Sequence, residues 1–459
     1  MRPAAEHAAL QGRLVTGSTL GHVIRMTGAG SIGLVAVFAV DALNLFYITL
    51  LRQPELTAAL GYATTLLFLA MSMSIGLSIA ATALTSRALG RGDLAQAREI
   101  AGAALIIVGG CMAVLAVVAC PLIDPALRLL GARGQTLERA AALMHIVVPS
   151  WPLLGVGMCL SALLRATGDA RRAMYVTLGA AATALVLDPL LILGLGLELH
   201  GVALATLFVR VVMVAIGLQG LWRVHRLIAR PRASRVLRDL APFMAIAMPA
   251  VLTQIATPVG NAFVTGAIST YGDEAIAGWT VIQRIIPVAF GLLFALSGAI
   301  GPIVGQNFGA QRLDRVRSTV RDSLKVTLVY VLVVWALMAL GSGPIADLFQ
   351  ARGLARELIV FFCVFVAGSF LFNGALFVAN AAFNNLGFAF YSTALNWGRS
   401  TLGVIPFVWL GQSWFGAKGA LTGYGLGVIA FGLFGMWWCF QVLGKMQESG
   451  GSAATRPRA

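Results

Sequence analysis

Residues 182–206 read ATALVLDPLLILGLGLELHGVALAT, an apolar stretch that carries Asp188 beside Pro189. A stretch of about 20 apolar residues is long enough to cross a bilayer. An ionised carboxylate inside it costs roughly 2.5 kcal/mol or more unless it is paired. Asp41 lies in a second apolar stretch, residues 33–51, GLVAVFAVDALNLFYITLL. Of the 18 acidic residues, only these two lie deep inside apolar stretches, which indicates one ion-handling site in the membrane.

The composition extends this conclusion to the whole chain. Hydrophobic residues make up 59% of the 459 residues, charged residues 11%, and the mean hydropathy is +0.86. Because a soluble protein carries about 25% charged residues, these values predict an all-α polytopic membrane protein. Twelve spans are expected near residues 24–50, 58–83, 98–122, 140–164, 170–195, 200–222, 241–268, 276–303, 319–341, 356–383, 388–411 and 418–443.

The connections between the spans are short and leave no room for a soluble domain. We expect a cytoplasmic lead-in over residues 1–23, because that segment has no continuous apolar region typical of a signal peptide. Spans one to six (24–222) form an N-lobe, and spans seven to twelve (241–443) form a C-lobe. A basic linker (223–240) joins the lobes, and a polar tail (444–459) is expected to be disordered.

The positions of the basic residues predict the orientation. The formal net charge is +15, with 33 lysine and arginine residues. Twenty-three of them fall at the termini and the even-numbered connections, and seven fall at the odd-numbered connections. Both termini are therefore expected to be cytoplasmic. The same asymmetry accounts for much of the basic charge without a nucleic-acid partner.

An internal repeat relates the two lobes. SRALGRGDLAQAREIAGAAL, around Gly90, matches GQNFGAQRLDRVRSTVRDSL, around Gly309, at an offset of 219 residues. LLRATGDARRAMYVTLG, around Gly168, matches FNNLGFAFYSTALNWG, around Gly387, at the same offset. With six spans in each half, both halves have the same orientation. Such parallel repeats usually place the substrate path between two bundles.

These stretches, in this order and spacing, resemble the multidrug and toxic compound extrusion (MATE) transporters, over nearly the whole chain. The resemblance implies two six-helix lobes, alternating access and export of organic, often cationic, compounds in exchange for H⁺ or Na⁺. The chain is most similar to the DinF-type branch, whose coupling carboxylates lie in the N-lobe. Asp41 then matches the aspartate of helix one, Asp188 that of the LDP motif in helix five, and Thr206 a hydroxyl of helix six.

Other features separate the chain from its relatives. NorM-type members place acidic residues on helices seven and ten, where this chain has only amides: Gln254, Asn261, Asn373 and Asn380. The DinF-type branch has an asparagine four residues before the helix-five aspartate, where this chain has Ala184. One neutral oxygen ligand is thus missing, which favours H⁺ over Na⁺. Helix one also lacks the proline that commonly bends it.

The chemistry of the acidic pair follows from its setting. Two carboxylates that lie close together in a poorly hydrated site cannot both ionise cheaply, so they are expected to titrate as a unit. Asn44, one turn from Asp41, and the Thr206 hydroxyl are candidate hydrogen-bonding partners. Each assignment has an alternative. The two acids can tie helices together, Thr206 can bond its own helix backbone, and Asn44 can serve in helix packing.

The expected substrate cavity is lined in the C-lobe by Gln254, Asn261, Arg284 and Asn373, with Trp279, Phe290 and Phe294 as aromatic candidates for organic cations. Arg284 and Arg399 are intramembrane cations that can repel a cationic substrate or meet an acidic one. The alternative for both, and more strongly for Arg210, is snorkelling or pairing with a backbone carbonyl.

The sequence thus predicts a proton-driven, or less favourably Na⁺-driven, antiporter that exports cationic or amphiphilic organic compounds. We expect a monomer in the bacterial inner (plasma) membrane, with no cofactor and no metal site. A lipid or oligosaccharide flippase of the same superfamily is the alternative. A membrane enzyme would need histidines, cysteines, a Ser–Lys pair or paired acids that converge near an interface, so we do not expect catalysis.

Overall fold

The computed structural model describes residues 12–50, 53–229 and 233–454, but not the side chains at 41, 42, 45, 49, 50, 54 and 449–454. This part of the chain forms helices joined by short turns and contains no strand. The α-helices are Thr19–Leu50, Pro54–Gly90, Leu94–Ala119, Ile123–Leu129, Gly134–Val147, Trp151–Ala166, Ala170–Pro189, Glu198–Leu218, Ala233–Ser269, Asp273–Ala289, Gly291–Gly309, Leu313–Leu340, Ser342–Leu348, Gly353–Phe361, Phe370–Leu386, Ala389–Gly398 and Ile405–Ala454. Helices suit a bilayer because each one satisfies its own backbone hydrogen bonds.

Twelve membrane spans follow from these helices. Eleven ranges of the described chain are long and apolar enough to cross a bilayer. The last range, Ala389–Glu448, is 60 residues long. Non-helical backbone at Phe415 and Gly416 divides it into two spans, which completes the count. The eighth span consists of Asp273–Ala289 and Gly291–Gly309, which meet at Phe290 just after Pro287.

The repeat of 219 residues is visible in the backbone itself. Residues with left-handed φ recur at this offset, and Gly168 (φ +81°) and Gly387 (φ +97°) are one such pair. The other pairs are Gly92 and Gln311, Gly131 and Gln350, and Gly134 and Gly353. The short helices Ile123–Leu129 and Ser342–Leu348 are related by the same offset. The two halves therefore share one backbone design, although their side chains differ.

Glycines bring the last two spans into backbone contact. A Cβ atom added to Gly427 would lie 1.6 Å from the carbonyl oxygen of Gly403, and one added to Gly419 would lie 1.9 Å from that of Gly411. Going forward along span eleven, the contacts move backward along span twelve, so the two helices are antiparallel. No larger residue fits between backbones at these distances.

Contacts group the described residues into two compact units. Unit 1 contains Ala29–Val251, and unit 2 contains Leu14–Gly28 together with the chain from Leu252 onward. The sequence predicts an N-lobe that begins near residue 24 and a C-lobe that begins near residue 241. It does not predict that residues 14–28 group with unit 2. The final helix also continues to Ala454, through most of the segment expected to be a disordered tail.

Candidate ion-coupling site

Asp188 is buried at a local break in span five. Asp188 belongs to unit 1, and only 2% of the residue is exposed. The α-helix ends at Pro189, which cannot donate a hydrogen bond to the carbonyl of Leu185. A π-helical turn, Leu190–Gly194, follows. Such turns are frequent at functional sites, and this one places the buried carboxylate beside irregular backbone.

Thr206 lies on span six at nearly the same level as Asp188. Spans five and six approach at Gly201, where an added Cβ would lie 2.9 Å from the carbonyl carbon and oxygen of Leu191. From this contact, Asp188 lies about 4 Å back along span five and Thr206 about 7 Å forward along span six. Because the two helices are antiparallel, both displacements point the same way. The Thr206 hydroxyl donates a 2.8 Å hydrogen bond to the backbone oxygen of Val202. Its donor is therefore occupied, and it can serve an ion or a carboxylic acid only as an acceptor.

Span one contributes Asp41, whose side chain lies outside the described residues. The helix Thr19–Leu50 is continuous through its glycines. Span one packs closely on span five, since a Cβ added to Gly33 would lie 2.1 Å from the Thr177 hydroxyl oxygen. These two odd-numbered spans run in the same direction. Counted from this contact, Asp41 lies about 12 Å along span one and Asp188 about 16 Å along span five, so their depths are similar.

An unsatisfied oxygen lies one turn beyond Asp41. The side-chain oxygen of Asn44 is buried and has no hydrogen-bond partner among the described residues. A buried acceptor of this kind is costly and can receive a proton donor or a cation. Ala184, 7% exposed on span five, supplies no oxygen of its own. Among the described residues, no three His, Cys, Asp or Glu side chains group as metal ligands.

Arg210 has a structural position in unit 1. The turn Val148–Ser150 interrupts span four at Pro149, and the Trp151 amide bonds to Val148 instead of Val147. The Val147 carbonyl therefore loses its usual helical donor. Arg210, 5% exposed on span six, donates to this oxygen at 3.0 Å and also to the Ser150 hydroxyl. Pairing with a backbone carbonyl, the alternative considered for Arg210, is what the structure shows.

The expected cavity residues of the C-lobe lie in different environments. Gln254, Asn261 and Asn373 are half-buried, and Arg284 is exposed. Trp279 and Phe290 are each 1% exposed and belong to the hydrophobic core of unit 2. The Trp279 ring nitrogen donates to the Thr265 hydroxyl at 2.9 Å, and Phe290 stacks on Phe370. Phe294, at 41% exposed, lies at the surface of the protein.

Arg399 has a polar environment that the sequence did not indicate. It is 4% exposed and begins a π-helical turn, Arg399–Gly403, in span eleven. Its guanidinium donates to the Thr257 hydroxyl of span seven at 2.9 Å. The hydroxyl of Tyr424 in span twelve lies near the same guanidinium. Neither partner is adjacent in sequence, so only the fold brings these three helices together.

A buried ion-pair cluster lies outside the spans of unit 1. Asp169 caps the start of span five by accepting a hydrogen bond from the Arg172 amide at 3.1 Å. Its other oxygen contacts the Arg172 guanidinium and lies 2.9 Å from the ring nitrogen of His225. Burial alone would raise the pKa of Asp169, but the hydrogen bonds from His225 and Arg172 outweigh it and hold that pKa well below its usual value.

Twelve helical spans in two halves of one design, with buried ionisable side chains in each half, define a multi-pass membrane transporter. The family model described as MatE matches residues 31–190 and 249–410, one block in each half. The chain belongs to this family. It is therefore a MATE transporter and not an enzyme, and the predicted fold class and family are confirmed.

Individual relatives cover most of the chain. A protein of Shewanella oneidensis named "FAD transporter" is 29% identical over 412 residues, which are 87% of this chain and 89% of that one. The "Multidrug export protein MepA" of Staphylococcus aureus is 22% identical over 388 residues, which are 83% and 84% of the two chains. A crystal structure of a mutant of the Vibrio cholerae MATE transporter VcmN has a TM-score of 0.88 and 23% identity, over 94% of this chain and 97% of that one.

Proposed function

We propose that this protein is a secondary antiporter that exports organic compounds by alternating access, with Asp41 and Asp188 as the residues that couple export to an ion gradient. The observation that carries the proposal is the burial of Asp188 at the π-helical turn of span five. Asp41 at a similar depth, the unsatisfied Asn44 oxygen and the acceptor side of Thr206 support it. A carboxylate in such a place is expected to be functional, since a purely structural role would not justify its cost.

The coupling ion in this proposal is H⁺. Na⁺ binding needs several oxygen ligands, and Ala184 removes one that relatives of the DinF-type branch supply. A carboxylate pair needs only to gain and lose a proton. Membership of that branch, a location in the plasma membrane, cytoplasmic termini and a monomeric state complete the proposal. The distribution of basic residues supports the orientation.

The substrate is proposed to be an amphiphilic organic molecule. The cationic character expected from the sequence is not supported by an acidic residue deep within the spans of unit 2, where the expected cavity residues are amides and Arg284. The relatives span two substrate descriptions, since one is named for FAD and another for multidrug export. Both descriptions fit an exporter of organic molecules.

Transport by reconstituted protein tests the coupling. Purified protein in liposomes is given a pH gradient or a Na⁺ gradient, and the movement of fluorescent organic cations and flavins is recorded. Asp41→Asn and Asp188→Asn are expected to abolish gradient-driven transport without loss of folding. Asp124→Asn is a matched control in unit 1, because its side chain is 51% exposed. Full pH-driven transport by Asp188→Asn, or transport driven by Na⁺ alone, would refute the assignment.

A further inference from the structure

Arg399 is a buried cation in unit 2 whose hydrogen-bond partners are all neutral. The guanidinium donates to Thr257 at 2.9 Å and to Ser400 at 3.5 Å, and the Tyr424 hydroxyl lies near it. Its Nε atom is buried and has no hydrogen-bond partner in the described part of the chain. Among the described side chains, no carboxylate forms an ion pair with it. The protein thus holds a positive charge in the membrane and leaves it uncompensated.

The repeat shows where this charge lies relative to the coupling site. Subtracting 219 maps spans seven, eleven and twelve onto spans one, five and six, which carry Asp41, Asp188 and Thr206. Gly260, the counterpart of Asp41, packs against Ser400, since its added Cβ would lie 3.1 Å from the Ser400 Cβ. Arg399 is therefore the neighbour of the position that matches Asp41. By the same offset Arg399 corresponds to Ala180, eight residues before Asp188, so the three equivalent spans carry carboxylates in one unit and a guanidinium in the other.

The chemistry of the site suits an oxyanion. A guanidinium offers five N–H donors in a planar fork that matches phosphate and carboxylate groups. The hydroxyls of Thr257, Ser400 and Tyr424 surround it and can also donate to an anion. Thr257 is exposed, so the site reaches the protein surface at that side chain. An incoming oxyanion would need to shift only hydroxyl contacts, because no protein carboxylate has to be displaced.

We propose that Arg399, with Thr257 and Tyr424, binds a phosphate or carboxylate group of the exported compound. This inference rests on the proposed function as an exporter and specifies the chemical class of its substrate. It favours an anionic amphiphile over the organic cations expected from the sequence. The name of the Shewanella oneidensis relative, "FAD transporter", is consistent with it, because FAD carries two phosphates on an aromatic ligand.

A flavin series tests the site, because riboflavin and FMN differ only in phosphate, while FAD adds a second phosphate together with an adenosine. Riboflavin, FMN and FAD share one ring system and carry zero, one and two phosphates. Their affinities for the full-length protein are measured by flavin fluorescence anisotropy in phosphatidylcholine nanodiscs, without any ion gradient. FMN and FAD are expected to bind at least about tenfold more tightly than riboflavin, the factor for one charge-assisted hydrogen bond. Equal affinities, or no binding of FMN and FAD, would overturn the proposal.

Variants assign the effect to one side chain. Arg399→Gln is expected to reduce FMN affinity to that of riboflavin and to leave riboflavin binding unchanged. Arg321→Gln is the matched control, because Arg321 is an exposed arginine on the helix Leu313–Leu340 of the same unit and is not among the expected cavity residues. If Arg399→Gln does not fold, Arg399→Lys keeps the charge but loses the fork and should show an intermediate preference. An equal loss of FMN affinity in Arg321→Gln would refute the role of Arg399.

Two further measurements distinguish a phosphate of the substrate from a lipid headgroup. They also distinguish failure of the Arg399 proposal from failure of the ion-coupling proposal. Inorganic phosphate should compete with FMN but not with riboflavin. If phosphatidylglycerol in the nanodiscs abolishes FMN binding, the site takes a lipid headgroup and the proposal fails. Because binding is measured without a gradient, failure here leaves the coupling role of Asp41 and Asp188 intact. Likewise, if Asp188→Asn loses gradient-driven transport, its binding preference for FMN over riboflavin can still be measured.

Discussion

The guanidinium of Arg210 in span six lies 3.0 Å from the backbone carbonyl oxygen of Val147 in span four and donates a hydrogen bond to it. The two residues are 63 positions apart, and the contact repairs the break that Pro149 introduces into span four. Ser150 donates to the same oxygen at 2.7 Å. This intramembrane cation completes the hydrogen bonding of a neighbouring helix, which explains its burial with no ion pair to a described carboxylate.

Replacement of Arg210 is expected to destabilise the fold. Arg210→Met leaves the Val147 carbonyl with fewer donors in a dry interior and should lower the free energy of unfolding by roughly 1–3 kcal/mol. Thermal unfolding of the purified protein in detergent measures the loss. Arg284→Met removes an exposed intramembrane arginine and should change the midpoint little. Equal midpoints for the two variants would show that the Val147 contact contributes nothing.

The glycine contacts between spans eleven and twelve should tolerate no side chain. Gly427→Ala places a Cβ 1.6 Å from the Gly403 carbonyl oxygen, which forces the two backbones apart. Overpacking of this kind costs roughly 1–3 kcal/mol or more. Thermal stability and elution as a single species on gel filtration report the result. Gly444→Ala is the control, since nothing lies within 4 Å of its added Cβ, and it is expected to be neutral or slightly stabilising.

The Asp169 cluster should make stability depend on pH in a defined direction. The pKa of Asp169 is lowered in the folded protein, so its contribution is present above the unfolded pKa of about 3.9 and is lost as the pH falls through and below that value. Asp169→Asn keeps a helix cap but loses the charge that binds Arg172 and His225.

Thermal midpoints from pH 8 to pH 3 measure this difference. Asp169→Asn is expected to be less stable than the unmodified protein at pH 8, and the gap should begin to narrow as the pH falls below about 4. Asp93→Asn is the matched control, because Asp93 caps span three in the same way but forms no ion pair among the described residues. A gap that stays constant across the pH range would contradict the electrostatic explanation.

The Arg13–Leu14 bond should resist trypsin because Leu14 is hydrogen-bonded to residues of unit 2. Leu14, directly after Arg13, bonds through its amide to Gln306 at 2.9 Å and through its carbonyl to Asn307 at 3.1 Å. Arg315 reaches the same carbonyl at 3.3 Å. A protease needs an extended, free backbone at the cleaved bond, so these contacts should protect it.

Removal of the contacts should expose the Arg13–Leu14 bond. Asn307→Leu and Arg315→Met are expected to accelerate trypsin cleavage there several-fold, as measured by mass spectrometry of the released fragment. Arg317→Met is the control, since Arg317 contacts Gln447 on an exposed surface. Cleavage that is equally fast in the unmodified protein would show that these hydrogen bonds do not hold the segment.

Much of the architecture is readable from the sequence because membrane folding depends on local properties. The run of apolar residues around Asp188 predicts a span by length alone, and the twelve spans and their repeat follow from such runs. The sequence repeat already relates Gly168 to Gly387, and in the structure both residues have left-handed φ. The two deep acids, Asp41 and Asp188, are visible because a charge in an apolar stretch is costly wherever the helix packs.

The tertiary structure alone decided which buried side chains meet. Arg210 and Arg399 are alike in sequence, each an arginine inside a span, yet Arg210 binds a backbone carbonyl and the side-chain partners described for Arg399 are hydroxyls. The assignment of Leu14 to unit 2 depends on Asn307, 293 residues away. Hydropathy and periodicity place a residue along its helix, but they contain no information on which distant helix lies opposite. The sequence therefore determines which span carries each charged residue, and helix packing determines which residue it contacts.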